Sequence, residues 1–163
     1  MLIERVEHFM ATQKKDKGFT IIEVVLVLAI AGLIFLMVFI ALPALQRGQR
    51  DNQRRQDVSR FMSQVSSYST NNRGSVPAAN TTSMSSFLDG YMKKSDGEFK
   101  DPQTGEDYNV VFGTAGTATT DTIVYATSAK CSGENIVANS GATRSVAVKI
   151  QLEGSGYYCQ DNQ

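Results

Sequence analysis

Glu23 is the residue in this chain whose position asks most for a chemical role. It is the single ionisable side chain near the start of a long apolar run, and no charged residue occurs from Val24 to Leu42. A carboxylate held at such depth in apolar surroundings costs free energy unless a cation or a set of donors meets it. The chemistry it offers is therefore pairing rather than catalysis. Cys131 and Cys159 are the two thiols, and two are too few for the usual structural zinc site. The one histidine, His8, precedes Gly18. Asp101, Glu106 and Asp107 could supply oxygen ligands to calcium, but they lack the spacing of a calcium loop, and a hydrogen-bonded turn is the default reading. Gly113 to Thr120 is rich in Gly and Thr but lacks the lysine of a phosphate-binding loop, so it reads as an exposed loop. Asn80-Thr81-Thr82 fits a glycosylation sequon, a pattern common by chance. No paired-carboxylate or nucleophile–base constellation stands out, which argues against an enzyme and gives no reason to expect a cofactor.

The element that carries Glu23 is about as long as the roughly 20 residues a helix needs to cross a bilayer. Lys14, Lys15 and Lys17 flank it and favour keeping that end in the cytoplasm. The run is too long for an ordinary secretory signal, and Ala41-Leu42-Pro43-Ala44 only imitates a cleavage site. On these features alone, a plain signal anchor bearing an outside domain is the competing reading. The chain has 163 residues and zero net charge, so no global field recruits nucleic acid or an anionic surface.

The segment Gly18-Phe19-Thr20-Ile21-Ile22-Glu23, followed by the apolar stretch, resembles the class III leader of type IV prepilins. The resemblance is specific over the first third of the chain and architectural beyond it. It implies a cytoplasmic leader over residues 1–18, cleaved by a prepilin peptidase between Gly18 and Phe19, and N-methylation of the new terminus at Phe19. It implies that Glu23 meets the terminal amine of a neighbouring subunit and sets its axial register. With His8 removed, the mature chain would have no histidine, which excludes a His triad, a His-ligated metal and a histidine switch. The implied fold is α+β: a stem helix over 19–73, transmembrane at about 21–45, packed against a small antiparallel sheet in a head over 74–163.

Pro43 and Gly48 predict a kink or break in the stem, because proline removes a backbone donor and clashes with the preceding turn. Arg47, Arg50, Arg54, Arg55 and Arg60, mixed with Asp51 and Asp57, read as a solvated or subunit-facing helix. DNA binding is a weaker reading of the same arginines. Val58, Phe61, Val65 and Tyr68 form a stripe suited to a sheet, and Gly74 ends the helix. A short helix is expected within Ser83 to Lys94. Strands are expected at Tyr108–Phe112, Thr122–Thr127 and Ser145–Leu152, with an edge at Tyr157–Cys159. Asp101-Pro102-Gln103-Thr104-Gly105-Glu106-Asp107-Tyr108 resembles a turn that precedes a strand in many pilins and pseudopilins. A head of this size buries a limited core, so a Cys131–Cys159 crosslink in an oxidising compartment would matter, as in many pilins. Two free thiols are the alternative.

As a whole the sequence is read as a structural pilus subunit. It is held in the membrane as a monomer, then polymerised on the bacterial surface for adhesion, twitching motility or DNA uptake. Its partners would be identical subunits, the peptidase, an inner-membrane platform protein and an assembly ATPase. The rivals are a secretion or competence pseudopilin, a minor pilin, and an anchored surface binding protein.

Overall fold

The computed structural model describes residues 18–154 and 156–163. The leader over residues 1–17, with His8, lies outside the described residues. The chain divides into two compact units, with the division between Ala41 and Leu42.

In the first unit the apolar part of helix α1 (Ile21–Asn71) leaves its large side chains exposed from Ile21 to Ile40. None of its apolar span is buried, and it is long and apolar enough to cross a membrane. A soluble protein would not leave such a surface to water, so it must be covered by lipid or by protein. Helix α1 runs through Pro43 and Gly48 without interruption, so the chain is not melted there. A proline removes one hydrogen bond but does not by itself unwind a helix whose flanking residues are strong helix formers, as Ala41, Leu42, Ala44 and Leu45 are.

The second unit is a helix-on-sheet layer. After α1 come α2 (Thr81–Tyr91), a single 3-10 turn (Lys94–Asp96), and six strands. These are β1 (Asn109–Phe112), β2 (Thr122–Thr127), β3 (Ala129–Ser132), β4 (Asn135–Ala138), β5 (Val146–Gln151) and β6 (Tyr157–Asp161). The main sheet has the order β1-β2-β5-β6, and β3-β4 forms a separate hairpin. The α+β reading holds, as do the four strands and short helix expected from periodicity. The sheet is mixed, however: β2–β5 and β5–β6 are antiparallel, while β1 lies parallel to β2 with Val110 opposite Ile123.

The Gly113–Thr120 segment makes that parallel return possible, and it is not simply an exposed loop. Ala118 is buried, and a Cβ at Gly116 would approach Val124 Cγ1 to 3.0 Å. The loop therefore folds back onto the sheet face, where only a glycine fits so closely. The β3–β4 hairpin was not anticipated. Its strands are short, and its only local signal is Gly133, at φ 60° in the turn.

Alternation in β2 and β5 builds the core. Ile123, Tyr125, Val146, Val148 and Ile150 face α1 and α2, where they meet Val58, Phe61 and Val65. Phe61 sits centrally, 5.3 Å from the ring of Phe87 and 5.9 Å from that of Tyr125. On the other face Val124, Ala126 and Ala147 are covered by the hairpin and Ala118, which is why both faces of these strands are apolar. Asn80 caps α2 by accepting from the Ser83 amide at 2.9 Å, a local role for the residue of the sequon.

Candidate assembly motif and the arginine clasp of the head

Two sites stand out, one in each unit. In the first, Gly18, Phe19 and Thr20 are non-helical and exposed, and α1 begins only at Ile21. The start is fixed by a reciprocal cap. The Thr20 amide and hydroxyl donate to Glu23 Oε2 at 3.0 and 2.8 Å, and the Glu23 amide donates back to Thr20 Oγ1 at 3.4 Å. This is a capping box, in which a Thr and a Glu three residues apart satisfy each other's orphan amides. Glu23 thus has local partners in the single chain. Glu23 is exposed, and its neighbours on this face of the helix are apolar: Phe19, Val24, Val27 and Leu28.

In the second unit α1 is tied to two turns by a buried ion cluster. The side chains of Arg54 and Asp101 are both fully buried, with Arg54 Nη2 at 2.6 Å from Asp101 Oδ1. Arg54 Nη1 also meets Glu153 Oε1 at 2.7 Å and Asp51 Oδ1 at 3.2 Å, and its Nε donates to the Thr120 carbonyl at 3.2 Å. Arg50 holds Glu153 from the other side in a two-pronged pair at 2.7 and 2.6 Å. Asp51 accepts the Glu153 and Gly154 amides at 2.8 and 2.9 Å. A side chain at Gly154 would crowd Asp51 Oδ2, since a Cβ there lies only 3.2 Å away. No buried side-chain polar atom among the described residues lacks a partner, the condition under which a buried ion cluster is tolerable.

The arginines, read from the sequence as a solvated or subunit-facing helix, are in part turned into the head. Arg54 is internal, Arg50 is paired, Arg60 pairs with Glu98 at 2.5 Å, and Arg55 lies 5.3 Å above the Tyr158 ring. The spacing did carry a signal: extending the Val58-Phe61-Val65-Tyr68 stripe backwards by four and then three residues reaches Arg54 and Asp51.

Asp101 is occupied at both oxygens. Oδ1 takes Arg54, and Oδ2 accepts the amides of Gln103 and Thr104 at 3.1 and 3.0 Å. The turn is therefore the hydrogen-bonded one expected by default. Asp101, Glu106 and Asp107 do not come together as calcium ligands, and no metal-ligating cluster occurs among the described residues.

The cluster shapes ionisation. Hydrogen bonds from Arg50 hold the Glu153 carboxyl down to about 2, with Arg54 adding to the effect and burial opposing it. Burial works against the Arg54 charge, but the bonds to Glu153 and Asp101 outweigh it and raise its pKa. Asp57 goes the other way. Burial lifts its carboxyl above the usual range, although the Tyr108 hydroxyl donates to it at 3.0 Å. Cys131 and Cys159 form a disulfide that joins β3 to β6, with Cα atoms 5.9 Å apart.

No curated protein and no solved structure is significantly similar to the chain. Residues 13–39 match the family model described as the prokaryotic N-terminal methylation motif. That span contains Gly18, Phe19, the capping pair and most of the apolar run of α1, and the motif it matches is the class III signal peptide of type IV pilins.

Proposed function

We propose that the chain is a subunit of a type IV pilus, processed between Gly18 and Phe19, N-methylated at Phe19 and polymerised through α1. The methylation motif carries this reading. Motif and fold together point to a structural protein made as a membrane-anchored precursor. The pilus itself, and the peptidase, platform and ATPase that would build it, are the proposal.

The geometry supports the order of events. A peptidase needs extended, accessible backbone, and Gly18 to Thr20 lie outside the helix and exposed. Cleavage creates a cation at Phe19. In a dry bundle of apolar helices that amine and the Glu23 carboxylate of a neighbour would each need a partner, and their pairing fixes the register that apolar contacts leave loose. Glu23 must exchange its Thr20 bonds for the new partner. Pro43 marks the weakest turn of the stem, where α1 would yield under extension.

The test is the main protein of filaments sheared from source cells. A mass starting at methylated Phe19, lighter by two hydrogens for the disulfide, is expected. Glu23→Ala should lower filament yield about a hundredfold or more, the factor that one unpaired buried charge carries, while leaving processed subunit in the membrane. An intact leader on a membrane-bound chain, with no filaments, would overturn the reading in favour of an anchored surface protein. Filaments in which this chain is scarce would assign it to the minor pilins or pseudopilins.

A further inference from the structure

Within the head, exposed carboxylates without an ion-pair partner gather near Arg54, and a pair of exposed arginines without one lies near Gly74. At the Arg54 end, Glu106, Asp107 and Asp121 are exposed and have no ion-pair partner among the described residues. Glu106 and Asp107 belong to the turn that Asp101 anchors to Arg54, and Asp121 follows the Thr120 carbonyl that Arg54 also holds. Asp121 is fixed by the hydroxyls of Thr119 and Thr122, which keep its carboxyl below the usual range. Together with Asp51, Asp101 and Glu153, these carboxylates outnumber the cations at this end, which are Arg47, Arg50, Arg54 and Lys100.

At the other end, α1 stops at Asn71, and Arg73 and Gly74 just beyond it are both left-handed, at φ 56° and 84°. The Arg144 guanidinium lies against Gly74 so closely that a Cβ there would meet Arg144 Cζ at 2.9 Å. Arg144 thus lies beside the residue that follows Arg73, and both arginines are exposed and without a carboxylate partner among the described residues. At about 1.5 Å per helical residue, the Asn71 end of α1 lies about 26 Å from Arg54.

We propose that the two patches are the halves of one contact between copies of this chain. Arg73 and Arg144 of one head face Glu106, Asp107 and Asp121 of the next. The proposal rests on the filament reading and names the head residues that would serve it. A head-to-tail contact uses two different patches on each subunit and leaves one of each open for the next copy, which is how a filament grows without closing. Opposite charge at the two ends attracts that arrangement and repels the inverted one, giving orientation and register more than raw affinity. Two arginines are a small footprint for a polyanion, whose binding grows with the number of phosphates neutralised.

The experiment reverses each patch in the full-length chain in source cells and compares sheared filament with processed subunit in the membrane. Arg73→Glu with Arg144→Glu should cut filament yield about tenfold at an unchanged membrane pool, and Glu106→Arg with Asp107→Arg should do the same. The chain carrying all four changes should recover to within about threefold of wild type. If charge reversal misfolds the head, Arg73→Gln with Arg144→Gln should give filaments that form but fall apart at lower salt than wild type. Unchanged yield and salt resistance, or four changes no better than two, would overturn the contact. So would filaments that persist while DNA uptake falls, since the arginines would then be reading a polyanion. Wild-type cells that shed no filament of this chain would sink the filament reading instead.

Discussion

Arg54 is the side chain whose removal should be felt most in the head. It keeps its charge with no exposure to water because the side chains of Asp51, Asp101, Gln103 and Glu153 and the Thr120 carbonyl converge on it. Arg54→Ala should cost about 3–5 kcal/mol, because Asp101 is left buried with an uncompensated charge. Replacing both partners, as Arg54→Met with Asp101→Leu, should cost less than that single change, and chemical unfolding of the purified protein measures both. Acid should act through Glu153. Its folded pKa of about 2 lies below the ordinary 4.5, so the unfolded chain takes up the proton first. Its contribution is complete above about pH 4.5 and is lost as pH falls towards 2. The melting temperature should drop across that window, and Glu153→Gln should flatten the drop. Asp57, with a raised carboxyl, works in the opposite sense and favours the fold on protonation.

Among the elements, the half of α1 beyond Leu42 and the strands β2 and β5 form the mechanical unit. Phe61 touches rings from α2, β2 and the segment before the Asp101 turn, through Phe87, Tyr125 and Phe99. Phe61→Ala should destabilise the head by about 3–5 kcal/mol, the range for emptying an aromatic site in a packed core. Asn80→Ala, which removes only the cap of α2, should cost about 1 kcal/mol. Measuring both in one denaturant series separates core packing from capping. A result in which the two changes cost the same would mean that α2 and its cap, rather than the α1–sheet contact, set the stability.

At the scale of the molecule, each unit answers to a different solvent. The apolar half of α1 buries nothing within its own chain, so it must be covered by lipid or by protein. The head carries its own core and is stapled once. Closing a loop with the recorded separation of 28 residues should stabilise it by about 3–4 kcal/mol in the chain-entropy estimate. The bond holds the hairpin onto β6, assisted by the Cys131 amide donating to Asp161 at 2.7 Å. Cys131→Ser with Cys159→Ser should therefore speed amide exchange in β3 and β4 far more than in β2 and β5. Uniform acceleration across the head would show the bond to act globally instead.

The primary sequence by itself settled the features that depend on local order. The Gly18-Phe19-Thr20-Ile21-Ile22-Glu23 run, the apolar span, the Val58 stripe and the alternation of β5 are patterns of neighbours, and neighbours are what a sequence records. The capping box was present as Thr20 and Glu23 three residues apart. What only the tertiary structure decided depends on partners far along the chain. Arg54 reads as one more surface arginine until Asp101 and Glu153, 47 and 99 residues away, close around it. The parallel placing of β1 and the docking of the β3–β4 hairpin are equally non-local. They follow from a loop packing back on the sheet through Gly116 and Ala118, a contact set by shape rather than by periodicity.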